Sequence, residues 1–293
     1  MERRTIVTGV SYFLLFSLLF FIVMFWMARV GFDPSESGGG GGEAIALIRI
    51  EGVITQSEEI TKLLKQYREN ERIKAILLRI DSPGGAVVPA QEIYESVLKI
   101  RKSGDKKVVT SMGTIAASGG YYIASASHFI MANPGTLTGS LGVIMELVNV
   151  EGLLSKVGIE QRTIKSGANK DVGSPFRTMT DTERTLLQNV SDDIHRQFID
   201  AVAQGRSLPV EEVKILADGR VFTGRQAKAV GLVDGIGTLE DAVQKTAELA
   251  GIKGEPRVIE TQNEFSFFKM VQSKVLSSAS YFSPMRFQYL LSF

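Results

Sequence analysis

One serine of this chain has the neighbours expected of a nucleophile. Ser118 lies in the run Met112-Gly-Thr-Ile-Ala-Ala-Ser-Gly-Gly-Tyr-Tyr122, whose small residues leave room for a substrate backbone beside its hydroxyl. The chain has two histidines, His128 and His195, and no cysteine. A Ser-His-Asp triad would depend on one of these two imidazoles, whereas an uncharged lysine amine can also serve as the base. If Ser118 is a nucleophile, a lysine is therefore the more available base.

Acyl transfer also needs hydrogen-bond donors for the oxyanion, and two glycine pairs are candidates. Gly119 and Gly120 follow the serine where a helix is predicted to begin, and a helix start favours negative charge. Gly84 and Gly85 end the motif Asp81-Ser-Pro-Gly-Gly85, which is typical of a turn after a strand. Taken singly, each motif is more often structural, because small residues allow tight helix packing and glycine pairs form turns.

The candidate bases are Lys156, Lys165 and Lys170, which follow the predicted strands. Most lysines are solvated surface charges. A catalytic lysine must be desolvated so that its pKa falls from about 10.4 towards neutrality. The residue pattern does not choose between Lys165 and Lys170. We interpret both histidines as structural or surface residues.

The surrounding elements alternate between strand and helix. Short apolar strands are predicted at residues 45–50, 75–80, 107–111, 129–131 and 143–148, and helices at 57–70, 89–102 and 239–250. The capping-box pattern Thr180-Asp-Thr-Glu183 predicts the start of another long helix. This alternation is typical of an α/β fold with a largely parallel sheet.

Residues 6–28 are almost entirely apolar. About 20 helical residues cross a hydrocarbon layer of ~30 Å, so this segment is long enough to span a membrane. A cleaved signal peptide is the alternative, but Met27-Ala-Arg-Val-Gly31 is a poor cleavage site. Arg3 and Arg4 precede the span, which favours an N-terminus inside the cell and the remainder outside.

Composition narrows the classes of partner. The net charge of +1 gives no electrostatic case for nucleic acid, and the absence of cysteine excludes disulfides and thiolate metal sites.

The C-terminal stretch is predicted to pack on the body or another subunit, with contact to a membrane surface as the alternative. We predict a cytoplasmic tail and anchor at residues 1–29, a glycine-rich linker at 30–43, a catalytic domain at 44–255 and a tail at 256–293.

Several motifs together resemble the short-form signal peptide peptidase A family. These are Asp81-Ser-Pro-Gly-Gly85, Ala116-Ala-Ser-Gly-Gly-Tyr-Tyr122, Leu137-Thr-Gly-Ser-Leu-Gly-Val143 and Ser166-Gly-Ala-Asn-Lys-Asp171. The similarity continues through Asp218-Gly-Arg-Val-Phe-Thr-Gly-Arg-Gln-Ala227 to Gly231-Leu-Val-Asp234. The resemblance implies a Ser-Lys serine protease with a fold like that of Clp protease and crotonase, a repeated β-β-α superhelix with a largely parallel sheet. One N-terminal transmembrane helix would precede it.

The resemblance also implies a role for individual residues. Ser118 matches the nucleophile, Lys170 the general base and Ser140 a serine that orients the lysine. Gly85 and the Ser118 amide match the oxyanion hole. Gly84, Gly119 and Gly120 are expected to lie beside the bound substrate, and no metal or organic cofactor is implied.

The expected function is digestion of remnant signal peptides by a single-pass protein of the bacterial inner membrane, with its catalytic domain on the extracytoplasmic side. Membrane lipid would contact residues 6–28. Long-form relatives carry the lysine and the serine in two halves of a duplicated chain. This single copy is therefore expected to complete its sites in a homo-oligomeric ring, an octamer. The alternatives are a crotonase-like enzyme for acyl thioesters and a non-catalytic membrane scaffold.

Overall fold

A computed structural model describes residues 17–18, 43–260 and 288–290. The predicted anchor at residues 6–28 lies outside these ranges except for residues 17–18, and so does nearly all of the linker. No helix in the described ranges is long and apolar enough to cross a membrane.

The described residues form ten strands and eight helices that mostly alternate. The strands are β1 (Ala44–Glu51), β2 (Ile73–Ser82), β3 (Gly84–Ala86), β4 (Lys107–Ala117), β5 (Phe129–Ala132), β6 (Leu137–Gly139), β7 (Val221–Thr223), β8 (Gly235–Ile236), β9 (Arg257–Glu260) and β10 (Gln288–Leu290). The helices are α1 (Glu58–Glu69), α2 (Val87–Ser103), α3 (Gly119–Ser125), α4 (Glu151–Lys156), α5 (Asp181–Arg206), α6 (Val210–Leu216), α7 (Gly224–Ala229) and α8 (Leu239–Ala250).

Eight of these strands form one sheet with the order β7-β6-β4-β2-β1-β9, and β5 and β8 continue it beside the first half of β4. Every pair in this sheet is parallel except β6 with β7. Strands β3 and β10 form a separate antiparallel pair. The predicted mixed α/β fold with a mostly parallel sheet is thereby confirmed.

Helices cover both faces of the large sheet. Along β1, Ala46 and Ile48 point into the larger core, which includes buried residues of α1, α2, α3 and α5. Ile45 and Leu47 point to the opposite face, where they pack with buried residues of α8. Because successive strand side chains alternate between faces, an uninterrupted apolar strand is expected when both faces are covered.

The helix starts agree with the sequence pattern. The predicted capping box is confirmed at α5, where the Glu183 amide donates to the Thr180 hydroxyl (3.3 Å) and the Thr180 amide donates to the Glu183 carboxylate (2.9 Å). This reciprocal pair satisfies two N–H groups that have no partner inside the helix.

The strand predicted at residues 143–148 was wrong. None of residues 142–182 is buried, so these apolar residues lack the packed neighbours that a buried parallel strand requires. We refer to residues 142–182 as the lysine segment, because Lys170 lies within it.

The folded body extends past the predicted boundary at residue 255. Strand β9 pairs with β1 at the edge of the sheet, and β10 pairs with β3. Both strands lie in the stretch predicted as a C-terminal tail.

Candidate active site

Ser118 occupies a sharp turn between the end of β4 and the start of α3. Its backbone has φ 52° and ψ −117°, a conformation that favours glycine over residues with a Cβ. A non-glycine residue held in such a region costs about 1–3 kcal/mol, and such outliers cluster at functional sites. A strained serine between a strand and a helix is also the arrangement that presents the nucleophile in α/β-hydrolases.

Strand β6 holds this turn in place. The Ser118 N–H donates to the Gly139 carbonyl (2.8 Å), and Gly139 pairs with Ala117 across the two strands. The Thr138 hydroxyl donates to the Ala116 carbonyl at 2.6 Å. These bonds satisfy the backbone around the turn, so the unusual dihedral angles are stabilised by non-local contacts.

The Ser118 hydroxyl itself is buried and unpaired. The residue is 1% exposed, and its Oγ has no hydrogen-bond partner among the described residues. A buried polar group without a partner costs about 1–3 kcal/mol, so it needs an explanation other than stability. A hydroxyl that forms its hydrogen bonds only with a base and a bound substrate would explain this burial.

Strand β4 is longer than predicted, because it continues past Ser111 to Ala117, the residue before Ser118. Its register with β2 shifts between Ile80 and Ser82. At the shift, the Ile115 N–H donates to the Asp81 carboxylate (3.0 Å). Gly113 makes room for that carboxylate, because a Cβ there would lie 2.6 Å from the Asp81 Cγ.

The two glycine motifs meet beside the turn. Ser82 at the end of β2 pairs with Ala116 at the end of β4, which brings β3 close to Ser118. Gly85 packs against the backbone of Ile54, where an added Cβ would lie 2.1 Å from the carbonyl oxygen. Gly85 is therefore required here by close backbone approach.

The hydrogen bonds of β3 show which way Gly85 faces. Ile54 donates to the Gly84 carbonyl and accepts from the Ala86 N–H, both at 2.8 Å. Since backbone groups alternate along a strand, the N–H and C=O of Gly85 point to the opposite edge, which pairs with β10.

One of the predicted oxyanion donors is already paired in the structure. The Ser118 N–H already donates to Gly139, so its use as an oxyanion donor would require that bond to break. Gly119, the first residue of α3, has an N–H with no partner inside the helix. The N–H of Gly119, and that of Gly85 when its edge is not paired with β10, are thus the amides beside Ser118 that can face an oxyanion.

The remaining predicted residues lie in different surroundings. Gly120 packs internally, because an added Cβ would lie 3.0 Å from the Ser82 carbonyl. Ser140 is buried, has a φ of 51°, and directly follows the glycine that binds the Ser118 amide. Its own N–H donates to the Arg220 carbonyl (2.8 Å).

Within the lysine segment, the structure distinguishes Lys165 from Lys170 by the contacts of their amines. The Lys165 amine is engaged by the Ala168 carbonyl (2.8 Å) and the Asp171 carboxylate. Lys170 is exposed, and its amine makes no hydrogen bond within the part of the chain that the structure describes. Of the two amines, that of Lys170 is available to another group.

An arginine anchors the segment next to this free lysine. The Arg177 guanidinium binds Asp171 (Nε to Oδ2, 2.9 Å) and Glu183 (Nη1 to Oε2, 2.9 Å). Hydrogen bonds from Arg177 hold the pKa of Asp171 well below its usual range and lower the pKa of Glu183 to about 2. Both carboxylates therefore stay charged at neutral pH and tie the lysine segment to the start of α5.

Comparison with known protein families identifies the family of this chain. The model for peptidase family S49 matches residues 100–253, more than half of the 293 residues, and the Clp protease model matches residues 45–135. The chain belongs to peptidase family S49. The matches include the β4–α3 turn and most of the elements that position it.

Relatives of this S49 chain carry protease names. A Synechocystis sp. protein named as a protease is 48% identical over 220 residues, covering 74% of this chain and 78% of the relative. An Enterococcus faecium protein named signal peptide peptidase SppA is 40% identical over 205 residues, covering 70% and 59%. The chloroplastic serine protease SPPA of Arabidopsis thaliana is 33% identical over 227 residues, covering 73% and 33%. This chain is a serine protease of the signal peptide peptidase A family.

Several residues around the S49 site were missed by sequence reasoning. Asp81 and Arg177 both act through contacts to backbone or side chains that are distant in the fold or lie in an irregular segment. Asp81 is the first residue of a motif interpreted as a turn, and Asp171 is the last residue of the motif that contains Lys170. The charge of each carboxylate was the only sign in the sequence that it could have a structural role. No set of three or more His, Cys, Asp or Glu residues in the described ranges is arranged to hold a metal.

Proposed function

We propose that this S49 protease is a membrane-anchored endopeptidase that uses Ser118 and Lys170 to digest remnant signal peptides and similar apolar peptides. The observation that carries the proposal is the buried, unpaired Ser118 hydroxyl in a strained turn. Family membership favours peptides over acyl thioesters as the substrate class and favours catalysis over a scaffolding role.

The proposed reaction uses groups of the protein alone, without a metal or organic cofactor. The uncharged Lys170 amine takes the Ser118 proton, and the alkoxide attacks the scissile carbonyl. The N–H groups of Gly85 and Gly119 stabilise the oxyanion, and the lysine then gives its proton to the leaving amine. Water, activated by the same lysine, hydrolyses the acyl-enzyme. Ser140 is proposed to orient the lysine.

A neighbouring copy of the chain is proposed to supply the lysine. In a single chain, the described residues contain no hydrogen bond between the Ser118 hydroxyl and the Lys170 amine. The lysine segment also leaves several large apolar side chains exposed, a pattern typical of an interaction surface. These side chains are Val148, Leu153, Val157, Ile159, Ile164 and Phe176. Burial between copies would desolvate the lysine, and a ring of eight copies is the proposed assembly.

The outer edge of β3 suits an extended peptide. The N–H and C=O of Gly85 point outward from that edge, so a substrate can pair with β3 as an added strand in the place that β10 takes in this structure. Recognition through the substrate backbone tolerates varied side chains, which fits a protease that digests many apolar peptides.

The proposed location follows from the N-terminal sequence. The apolar residues 6–28 would anchor the chain in the bacterial inner membrane, with the catalytic domain outside the cytoplasm. The Clp protease match favours the finer β-β-α superhelix within the mixed α/β fold. Peptides released in the membrane would thus be close to the active site.

The dyad is tested by active-site labelling and peptide hydrolysis with purified full-length protein. We expect a fluorophosphonate to label the wild type but not Ser118→Ala. Lys170→Ala is expected to lower both labelling and kcat at least about a hundredfold, since a positioned base contributes about 10²–10⁴-fold. Lys165→Ala is the matched control, because it removes the neighbouring lysine that already pairs with Asp171.

Mixed assemblies test where the lysine comes from. Co-assembled Ser118→Ala and Lys170→Ala subunits should recover part of the activity, because some sites would combine an intact serine with an intact lysine. Near-normal activity of pure Lys170→Ala would overturn the dyad. Inactive mixed rings, with both parents shown to co-assemble, would instead place both residues in one subunit.

A further inference from the structure

Strand β4 contains a bulge just before the proposed nucleophile. While β2 advances by two positions, from Ile80 to Ser82, β4 advances by four, from Met112 to Ala116. We call the stretch between them, residues 113–115, the β4 bulge. Bulges are common next to active sites, where they redirect a side chain. This one lies where it can direct the end of β4.

The β4 bulge is also where β4 changes its neighbour in the sheet. Residues 109–111 before it pair with β5, and residues 115–117 pair with β6. Strand β6 also binds the Ser118 N–H through the Gly139 carbonyl (2.8 Å). The shape of the bulge therefore sets how the Ser118 turn meets β6.

Arg79 binds the residues at which the bulge begins. Its Nη1 donates to the Met112 carbonyl and to the Ser111 hydroxyl, both at 2.8 Å. Ser111 and Met112 are buried and Arg79 is half-buried, so these bonds are partly shielded from water. Hydrogen bonds from a charged donor are roughly twice as strong as neutral ones. Arg79 thus fixes the start of the bulge.

The middle and the end of the bulge also have partners. The buried Thr136 hydroxyl donates to the Gly113 carbonyl at 2.7 Å. The Ile115 N–H donates to the Asp81 carboxylate, which occupies the space beside Gly113. Since Thr136 directly precedes β6, its bond also joins the bulge to that strand. Side chains from two other segments thus hold the bulge in one shape.

A neighbouring arginine shows that the contacts of Arg79 are particular to it. Arg49 on β1 is paired in register with Arg79 but binds the carboxylates of Glu51 (3.6 Å) and Glu260. Both hydrogen bonds that the Arg79 guanidinium forms with the described residues go to β4 instead. Burial of a charge is costly unless it is hydrogen-bonded. The half-buried Arg79 is therefore coupled to the shape of β4.

We propose that Arg79 is a positioning residue, which locks the β4 bulge and thereby sets the place of the Ser118 hydroxyl. The lock stands on the hydrogen bonds alone. Its effect on catalysis rests on the function proposed above, in which Ser118 attacks the substrate. A displacement of about 1 Å can lower a rate by about a hundredfold, so a loosened bulge should be visible in turnover.

Hydrogen exchange tests the lock without requiring activity. Full-length Ser118→Ala protein is compared with and without Arg79→Met, which keeps a long side chain but removes the donor. The amides of residues 113–118 should exchange at least about tenfold faster in the Arg79→Met protein, because the bulge opens more often. Arg49→Met is the matched control and should leave this exchange unchanged, since Arg49 binds carboxylates rather than β4. Unchanged exchange in Arg79→Met would overturn the lock, in an active or an inactive protein.

Turnover per active site tests positioning in the Ser118-containing protein. Arg79→Met should lower kcat at least about tenfold, with the sites counted by fluorophosphonate labelling. KM should stay nearly the same, because Arg79 does not bind β3, where the substrate is proposed to pair. A loss of folded protein would instead lower the number of sites and leave kcat per site unchanged. Arg79→Lys should recover most of kcat, since one amine can replace the single nitrogen that makes both bonds.

Thr136→Val covers the case in which Arg79→Met does not fold. Valine resembles threonine in shape, but the bonds to the Gly113 carbonyl and the Asn133 N–H are lost. Exchange and kcat per site should change in the same direction as in Arg79→Met. Faster exchange with unchanged kcat per site would refute positioning and leave the proposed function intact. Faster exchange in a protein whose wild type has no peptidase activity would support the lock and overturn the proposed function instead.

Discussion

At the scale of single residues, the proposed nucleophile Ser118 shows the clearest conflict between local structure and stability. Ser118 combines a positive φ with a buried hydroxyl that has no partner within the described ranges. Neither feature helps the protein to fold, and each costs about 1–3 kcal/mol in typical cases. The surrounding bonds to Gly139 and Ala116 compensate for a conformation that the serine would not adopt alone.

This conflict predicts opposite effects of glycine on activity and stability. Ser118→Gly should abolish turnover and raise the free energy of unfolding by about 1 kcal/mol relative to Ser118→Ala, because glycine adopts this backbone region without strain. Urea denaturation of both inactive variants measures the difference. A glycine variant less stable than the alanine variant would show that the turn stores no strain.

At the scale of elements, β3 is the part of the site most constrained by its neighbours. One side of this short strand bonds to Ile54, and the opposite side faces β10. Its close approach to Ile54 leaves no room for a side chain at Gly85. The position of the edge, and with it the Gly85 N–H, therefore depends on the absence of a single Cβ.

Gly85→Ala should impair catalysis and stability together. The new Cβ would overlap the Ile54 carbonyl, so β3 must move, and overpacking of this kind costs about 1–3 kcal/mol. A displacement near 1 Å at the oxyanion donor should lower kcat/KM by about a hundredfold. Thermal unfolding and peptide hydrolysis measure the two effects.

Gly135→Ala is the control for this substitution. An added Cβ at Gly135 meets no atom within 4 Å. Its activity and melting temperature should stay close to those of the wild type. Normal activity in Gly85→Ala would remove β3 from the proposed oxyanion hole.

At the scale of the whole molecule, the large sheet and the helices on its two faces form the body that holds the Ser118 turn. His128 belongs to this body. Its ring Nδ1 accepts from the Val108 N–H (3.0 Å), and its backbone N–H donates to the Val108 carbonyl (2.8 Å). Burial lowers the pKa of His128, with the nearby charges of Lys107 and Arg101 acting in the same direction.

The lowered pKa predicts a loss of stability in mild acid. The folded state binds a proton at His128 less readily than the unfolded chain, whose histidine pKa is about 6.5. The stability contribution is therefore complete above about pH 6.5 and is lost as the pH falls through the lower folded pKa. Urea unfolding between pH 7.5 and 5 should show this decrease.

His128→Asn is the matched variant, because its amide oxygen can accept from the same N–H but does not titrate. Its stability should change less over that pH range than that of the wild type. An equal pH dependence in both proteins would assign the effect to other groups.

The amino-acid sequence by itself determined the features that arise from nearby residues. Apolar runs predicted β1, β2 and β5, the Thr180 pattern predicted the start of α5, and small residues marked the turn at Ser118. These signals act over a few residues, so they can be read without knowing the fold. Residues 143–148 show the limit of such reasoning, because an apolar run forms a strand only when partners cover it.

Only the tertiary structure decided how the site is assembled. The Asp81 carboxylate binds the Ile115 N–H of β4, and β6 binds the Ser118 N–H. Strand β10 pairs with β3, although about 200 residues separate them in the sequence. Each of these contacts joins segments far apart in sequence, and its formation depends on burial and strand pairing that local propensity does not encode. The proposed nucleophile could thus be identified from its neighbours in the chain, whereas the proposed oxyanion donors depended on the fold.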